Sequence, residues 1–273
     1  MNIIKAPESF FKEEKRQDYK ISSKMKKIWS IEIELLQILL DICIRHNLKC
    51  WVDSGTLIGA IRDKGFIPWD DDIDMVMMRD DFNKLSIIIE KELEFPYFFE
   101  TIETDRFCPY KTAKLMKAGT TANINNSKGR QCIFIDIFVY DAVPTKLREI
   151  NKYLLNVKLS REFCNVFNKI SDLLPKFIYK RFPLKLMLNR WFVKKLSKYS
   201  ISDTYYIALS SLHYKTPLRR KVSYAETIYK KFEYIEVPVP KGYNEILTLE
   251  YGDYMIPQHT PTRHGKVEFN IND

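Results

Sequence analysis

The stretch "GFIPWDDDIDMVMM", residues 65–78, puts four aspartates into the five positions 70–74. Residues 75–78 are all Met or Val, so 71–78 is predicted to be a β-strand that is acidic at its start and apolar at its end. Alternate side chains of a strand share a face. Asp70, Asp72 and Asp74 are therefore expected on one face, and Asp71 on the other.

This acidic spacing indicates a metal site. Same-face neighbours of a strand lie about 6.5–7 Å apart, so their carboxylates can converge on one or two cations. Carboxylates that crowd without a cation repel each other and raise their own pKa values. Mg²⁺ is expected, with Mn²⁺ as the alternative, because both prefer oxygen ligands. A solvated turn is the competing interpretation, but a turn accommodates one or two of these aspartates rather than four.

A third carboxylate comes from "CIFIDIFVYD", residues 132–141, an apolar run with Asp136 in its middle. Such a run is typical of a strand buried on both faces. A buried carboxylate is costly unless it is paired or bound to a metal. A salt bridge to Lys114 is one explanation, and completion of the metal cluster is the other.

A small-residue turn precedes the acidic strand in "DSGTLIGAIR", residues 53–62. Ser54, Gly55 and Thr56 are expected to open a helix after a short strand. The start of a helix offers backbone N–H groups and the positive end of the dipole, which suit a phosphate group. Ordinary N-capping explains the same three residues, so this motif is weak by itself.

The rest of the chain predicts an α+β fold, with a mixed sheet, flanking helices and a basic helical segment. Three parts are expected: a core with an N-terminal helix (1–145), a helical segment (146–215) and a C-terminal segment returning to the site (216–273). The predicted strands are 48–53, 71–78, 97–102, 111–117, 132–140 and 232–240. Helices are predicted at 24–46, after Ser22 or Ser23 as a cap, at 54–63, 79–93 and 242–252, and over most of 146–213.

Composition limits the class of protein. The chain has 273 residues, of which 45% are hydrophobic and 29% charged, which is typical of a globular protein and not of a disordered one. Charged residues interrupt the N-terminus before a signal-peptide core and also interrupt the longest apolar stretch. The five cysteines form no CxxC pair. A cytoplasmic protein is expected, and peripheral association with the inner face of the cell membrane is left open.

Positive charge is concentrated in one segment. Residues 142–200 contain fourteen Lys or Arg and three acidic residues, a balance of +11, whereas the whole chain carries +9. The rest of the chain is therefore near −2. Aromatic residues interleave with these basic residues, which indicates a face for anionic lipid or another polyanion. A solvated helical face over an ordinary core explains the pattern equally well.

Three blocks of the sequence resemble motifs of a known protein family. The blocks "GTLIGAIRDKGFIPWDDDIDMVMMRDDF" (55–82), "FIDIFVYD" (134–141) and "YGDYMIPQHTPTRH" (251–264) resemble the successive motifs of the LicD family. That family includes bacterial phosphocholine transferases and is related to the fukutin proteins. The resemblance spans residues 32–264 and implies a nucleotidyltransferase-like fold.

The resemblance also implies an activity. It is the transfer of a substituted phosphate, typically phosphocholine from CDP-choline, to a hydroxyl of a cell-surface glycan, teichoic acid or lipid-linked glycan precursor. The alternative is a nucleotidyltransferase that acts on a nucleic acid or a small molecule. The chain has no recognised nucleic-acid module, so no nucleic-acid partner is expected.

Residue roles follow from the matched motifs. Asp72 and Asp74 would bind the metal, Asp70 would assist, and Asp136 would be the third carboxylate, orienting or deprotonating the attacking hydroxyl. The match also implies a donor-binding set, to which charge and position add Arg62 and Lys114. Its members are Ser54, Gly55, Thr56, Arg62, Lys114 and His264.

Overall fold

The computed structural model describes residues 3–101, 103–104, 113–123, 132–173, 184–209, 218–258 and 268–271. Its helices are α1 (Ser23–Arg45), α2 (Ser54–Ile58), α3 (Arg79–Glu92), α4 (Leu147–Leu173), α5 (Leu184–Leu196) and α6 (Tyr243–Tyr251). Its strands are β1 (Glu14–Arg16), β2 (Tyr19–Ile21), β3 (Cys50–Val52), β4 (Asp74–Met78), β5 (Tyr97–Glu100), β6 (Ala113–Lys117), β7 (Thr120–Asn123), β8 (Ile133–Ala142), β9 (Tyr206–Leu209), β10 (Arg219–Arg220), β11 (Thr227–Phe232), β12 (Ile235–Pro240) and β13 (Glu268–Ile271).

The central sheet has seven strands arranged around β8. One edge of β8 pairs with β4 in parallel, and the other edge pairs antiparallel with β6 and then with β9. Outside these strands, β3 pairs with β4, β5 with β6 and β10 with β9, all antiparallel. The predicted α+β class with a mixed sheet is therefore confirmed.

Helix α1 packs against the sheet and supplies much of the core. Its first turn is capped as predicted, because the Ser22 side chain accepts a hydrogen bond from the Met25 N–H at 3.1 Å. Its buried face packs on β6 and β8, and α3 packs on β4 and β8. Trp29 of α1 stacks on Phe66, with ring centroids 4.5 Å apart. The helix thereby reaches the segment that leads into β4.

The acidic strand begins later than predicted. β4 starts at Asp74 and not at residue 71, so Asp70, Asp71 and Asp72 precede the strand. Aspartate is a poor strand former, and a turn in which the Asp70 N–H donates to the Ile67 carbonyl at 2.9 Å holds the chain just before them. The alternation of faces expected for these three residues therefore does not apply.

The segment predicted to be helical contains a strand as well. α4 and α5 lie in it, but β9 returns from them to the central sheet, and β10 extends the same edge. A second small core forms there from Val143, Tyr153, Val157, Leu196 and Ala208. The division of the chain into three parts stays a prediction. Within the described ranges, every helix is too short or too polar to cross a lipid bilayer.

Candidate active site

The pairing of β4 with β8 brings together the predicted metal ligands. Asp74 lies directly opposite Asp136 in the parallel register, and the Asp136 N–H donates to the Ile73 carbonyl at 2.9 Å. Asp72 lies two residues before Asp74. One carboxylate oxygen from each of Asp72, Asp74 and Asp136 lies within 4.8 Å of the other two. The structure therefore unites three residues that the sequence separates by up to 64 positions.

A second acidic group adjoins the first. Oxygens of Asp70, Asp71 and Asp72 also lie within 4.8 Å of one another, so Asp72 belongs to both groups. The prediction placed Asp71 on the opposite face of a strand, and this was wrong because the strand has not yet begun at that position. Ile73, between Asp72 and Asp74, is fully buried in the hydrophobic core.

Crowding of these carboxylates affects their protonation. Burial raises the pKa of Asp74, and the neighbouring charges of Asp72, Asp136 and Asp70 raise it further. The pKa of Asp70 is raised for the same reasons, first by burial and then by Asp72. Repulsion in the absence of a cation is what the sequence predicted for this cluster.

Lys114 lies beside the cluster, and the predicted salt bridge is present. Its Nζ is 2.8 Å from Asp136 Oδ1, and its side chain is only 3% exposed. β6 places it there, because Lys114 is opposite Asp136 in the antiparallel pairing of β6 with β8. The ammonium also lies 3.2 Å from the centroid of the Phe134 ring. The salt bridge and the carboxylate cluster therefore coexist, whereas the sequence presented them as alternatives.

Glu32 is a site residue that sequence reasoning missed. It is 1% exposed on α1, and its Oε2 has no hydrogen-bond partner within the described residues. Burial raises its pKa well above the ordinary range, and Asp72 and Asp71 add to this effect. The signal in the sequence was an acidic residue on the apolar face of α1, four positions after Ile28 and four before Leu36.

The turn that opens α2 lies against the acidic segment. Ser54 has a positive φ of 49°, which is uncommon for a residue with a side chain. The Thr56 Oγ1 accepts a hydrogen bond from the Asp74 N–H at 2.8 Å. A Cβ at Gly55 would lie 2.5 Å from Asp70 Oδ2, so only glycine fits there without displacing that carboxylate. The turn and the aspartates are therefore adjacent, as predicted.

A buried ionic network fixes the same turn from the other side. The Asp53 carboxylate accepts hydrogen bonds from Arg219 Nη1 at 2.6 Å and from the Tyr140 hydroxyl at 2.9 Å. Arg219 also contacts the Tyr224 hydroxyl at 2.6 Å and the Glu250 carboxylate. Sequence reasoning missed this network, because its members lie up to 197 positions apart and no local pattern links them.

Arg62, one of the predicted donor-binding residues, is held by protein groups. The Arg62 guanidinium bonds to the Asp63 carboxylate, at 2.9 Å from Nη2 to Oδ2, and to the Tyr254 carbonyl at 3.1 Å. Both side chains of that ion pair are nearly buried. Arg62 therefore links the helical turn after α2 (Gly59–Asp63) to the chain after α6, and its role toward a donor stays a prediction. His264 lies outside the described residues.

Four aromatic residues near the motifs are candidates for a choline-binding face, although core packing explains each of them as well. Trp51 is buried and donates its indole N–H to Thr227 Oγ1 at 2.9 Å. Tyr140 is fully buried in the network around Asp53. These two belong to the core, and Tyr110 lies outside the described residues. Trp69 is half-buried, with its ring 6.2 Å from that of Tyr19.

The donor set fits a hard divalent cation. All the converging ligands of Asp72, Asp74 and Asp136 are carboxylate oxygens, which Mg²⁺ and Mn²⁺ prefer. The oxygens around one Mg²⁺ lie about 3–4 Å apart for bonds of about 2.1 Å, so small side-chain movements close the observed group around an ion. The buried carboxyl group of Glu32, whose Oε2 has no hydrogen-bond partner among the described residues, lies next to these ligands and would gain a favourable interaction from a bound cation.

Comparisons with known proteins relate the chain to one protein family. Residues 47–169 match the family model described as "LicD/FKTN/FKRP, nucleotidyltransferase domain". The chain is 34% identical over 255 residues to the lipopolysaccharide cholinephosphotransferase LicD of Haemophilus influenzae, covering 85% of this chain and 93% of that protein. It is also 35% identical over 132 residues to an uncharacterized protein of Rickettsia prowazekii, covering 48% of this chain and 46% of that protein. On these matches, the chain belongs to the LicD family.

Proposed function

We propose that the protein transfers phosphocholine from CDP-choline to a hydroxyl group of a cell-surface glycan or its lipid-linked precursor, with Mg²⁺ or Mn²⁺ as cofactor. The observation that supports this most is the convergence of three carboxylates: Asp74 on β4, Asp72 just before β4, and Asp136 on β8. The similar Haemophilus protein is named for cholinephosphate transfer to lipopolysaccharide. That name supports the head group and the type of acceptor.

The chemistry is a displacement at phosphorus. The acceptor oxygen bonds to the phosphorus that carries choline, and the bond from that phosphorus to the bridging oxygen breaks. CMP leaves with the electron pair, and the hydroxyl proton passes to a carboxylate, for which Asp136 is our candidate. A divalent cation bound by the cluster would neutralise charge on the phosphate oxygens during this displacement.

The chain's own residues support each part of this step. The aspartates hold the negative charge that attracts the cation, and Lys114 orients Asp136 through its 2.8 Å ion pair. Thr56 couples the Ser54–Gly55 turn to β4 through the Asp74 N–H. A phosphate seated at that turn would therefore be fixed relative to the acidic cluster.

The choline group needs an aromatic face, because a quaternary ammonium is attracted to the π-face of an aromatic ring. Trp69 is the candidate, since it immediately precedes Asp70 and is half-buried. Trp51 and Tyr140 are excluded from this role by their burial in the core.

A donor screen tests the proposal. The purified protein is incubated with Mg²⁺ and CDP-choline, CDP-ethanolamine or a CDP-polyol, with and without a glycan acceptor, and CMP release is measured. We expect acceptor-dependent CMP release with CDP-choline, no release in EDTA, and a loss of at least 1,000-fold, about 4 kcal/mol of transition-state stabilisation, in Asp74→Asn.

The matched control is Asp80→Asn, which removes an exposed aspartate from the first turn of α3. It should retain activity within about twofold. Equal activity of Asp74→Asn and the wild type, or CMP release that EDTA leaves unchanged, would contradict the proposed mechanism. Release only with a donor other than CDP-choline would contradict the head group and keep the mechanism.

A further inference from the structure

An apolar stripe lies on the solvent side of α4. Five large apolar side chains on this helix are 40–55% exposed: Leu155, Leu159, Phe163, Val166 and Ile170. At 100° per residue their positions fall within an arc of about 80°. The buried positions Tyr153, Val157 and Ser160 lie on the opposite side of the helix. The stripe is therefore a second apolar face, and it faces away from the core.

Helix α5 extends this face. Met187 and Trp191 are 61% and 48% exposed, one helical turn apart. The rings of Phe163 and Trp191 both contact Phe192, at centroid distances of 5.9 and 4.8 Å. The exposed side chains of the two helices therefore adjoin. We call Leu155, Leu159, Phe163, Val166, Ile170, Met187 and Trp191 the apolar patch.

Basic side chains surround the apolar patch. Lys158, Lys194 and Lys195 are exposed on the same two helices, and Lys198 is exposed two residues after α5. The Lys195 Nζ lies 3.5 Å from the centroid of a Trp191 ring. The surrounding segment 142–200 has a balance of +11. Large apolar side chains bordered by lysines, with an exposed tryptophan, are typical of helices that lie in the interface of an anionic bilayer.

We infer that this face binds the surface of an anionic lipid bilayer, with the apolar patch seated below the headgroups and the lysines at their level. Charge favours this occupant over a second copy of the chain, because pairing two such faces would bring two segments of +11 together. Apolar burial and anionic attraction add to each other at a membrane surface. The inference is independent of the proposed catalytic step.

Sedimentation with vesicles tests this inference. The 273-residue protein is mixed with vesicles of phosphatidylcholine alone, or with about 30% phosphatidylglycerol, in 0.1 and 0.5 M NaCl. We expect binding to the anionic vesicles only, weakened at least tenfold by the higher salt. The fluorescence maximum of the bound protein should shift to shorter wavelength. Trp191→Phe should remove most of that shift, because Trp29 and Trp51 are already buried and the half-buried Trp69 lies outside the apolar patch.

Matched variants separate the contribution of the apolar patch to vesicle binding from the contribution of the lysines. Leu155→Ser with Val166→Ser removes patch residues, and its control is Ile44→Ser with Ile87→Ser, two side chains that are 70% exposed on α1 and α3. Lys194→Glu with Lys195→Glu removes charge beside the patch, and its control changes the exposed Lys24 and Lys27 of α1 to Glu.

The patch and charge variants should each bind anionic vesicles at least tenfold more weakly, with unchanged thermal unfolding, and both controls should bind within about twofold of the wild type. Three results would overturn the inference. They are no binding to anionic vesicles, binding that the patch variant leaves unchanged, and a dimer in light scattering that the patch variant dissolves.

Discussion

Several carboxyl groups in the site are buried beside other carboxyl groups, which disfavours their charged forms, and a bound cation would remove this repulsion. Glu32, Asp70 and Asp74 all have pKa values raised first by burial and then by neighbouring carboxylates. In the metal-free protein, these groups therefore retain protons at pH values where exposed carboxyl groups have lost them. Glu32 contributes although it comes from α1, a helix that carries none of the family motifs.

This protonation predicts a pH dependence. The folded state binds more protons than the unfolded state once the pH exceeds the ordinary carboxyl values of 3.8 and 4.5, so the free energy of unfolding falls as pH rises. Each group that is protonated in the folded state and ionised in the unfolded state lowers the free energy of unfolding by up to about 1.4 kcal/mol per pH unit. Denaturant unfolding in EDTA from pH 5 to 8 should show a shallower decline in Glu32→Gln than in the wild type.

Glu90→Gln is the control, because Glu90 is exposed on α3; its curve should run parallel to that of the wild type. Mg²⁺ should flatten the wild-type decline, since a bound cation replaces the protons. Identical pH dependence of Glu32→Gln and the wild type would show that Glu32 does not titrate with the cluster.

Residue patterns predicted part of this site. Asp72, Asp74 and Asp136 stood out because carboxylates in or beside apolar strands need a partner, and the structure unites them. Asp71 was misplaced because strand alternation was applied before the strand begins. Glu32 was missed because its proximity to the cluster depends on how α1 packs, which its own sequence does not specify.

Among the secondary-structure elements, β3 and β10 support the site through an ion pair between side chains at their ends. Asp53 follows β3, and Arg219 lies on β10 at the other end of the strand order. Both side chains of their 2.6 Å ion pair are at most 2% exposed. Because Asp53 directly precedes the Ser54 turn, this pair holds the turn that adjoins the aspartates.

The ion pair predicts strong coupling. Arg219→Met should destabilise the protein by about 3–5 kcal/mol, because it leaves the Asp53 charge buried without its partner. The double variant with Asp53→Asn should cost clearly less than the sum of the two single variants. The neighbouring Arg220→Met is the control; its 60% exposed side chain pairs with Glu245, and its loss should cost about 0–1 kcal/mol. Additive single-variant costs in denaturant unfolding would contradict this assignment.

Elements were predicted best where the pattern was local. The buried strand β8 and helix α1 were evident from apolar runs and a serine cap. β9 was missed because its short run follows two helices, and its place in the sheet comes from pairing with β8, about 70 positions earlier. Such long-range pairing leaves no mark within a short window of sequence.

Across the whole molecule, the clustered negative charge and the excess positive charge lie in different parts of the chain. The carboxylates converge at the site formed by α1, the approach to β4 and the strand pair β4–β8. The excess positive charge lies in 142–200, which includes α4 and α5 and the apolar patch. An enzyme that modifies lipid-linked glycans would gain from this division, because the basic helices would hold it at an anionic surface while the acidic site binds a cation and the donor.

The proposed mechanism requires one divalent cation held by carboxylates from β4, from the residues just before it and from β8. Diffraction at the manganese absorption edge, from crystals of the protein grown with Mn²⁺, tests it most directly. We predict an anomalous peak coordinated by Asp72, Asp74 and Asp136. Well-ordered carboxylates without a peak between them, in protein that still transfers phosphocholine, would contradict the account.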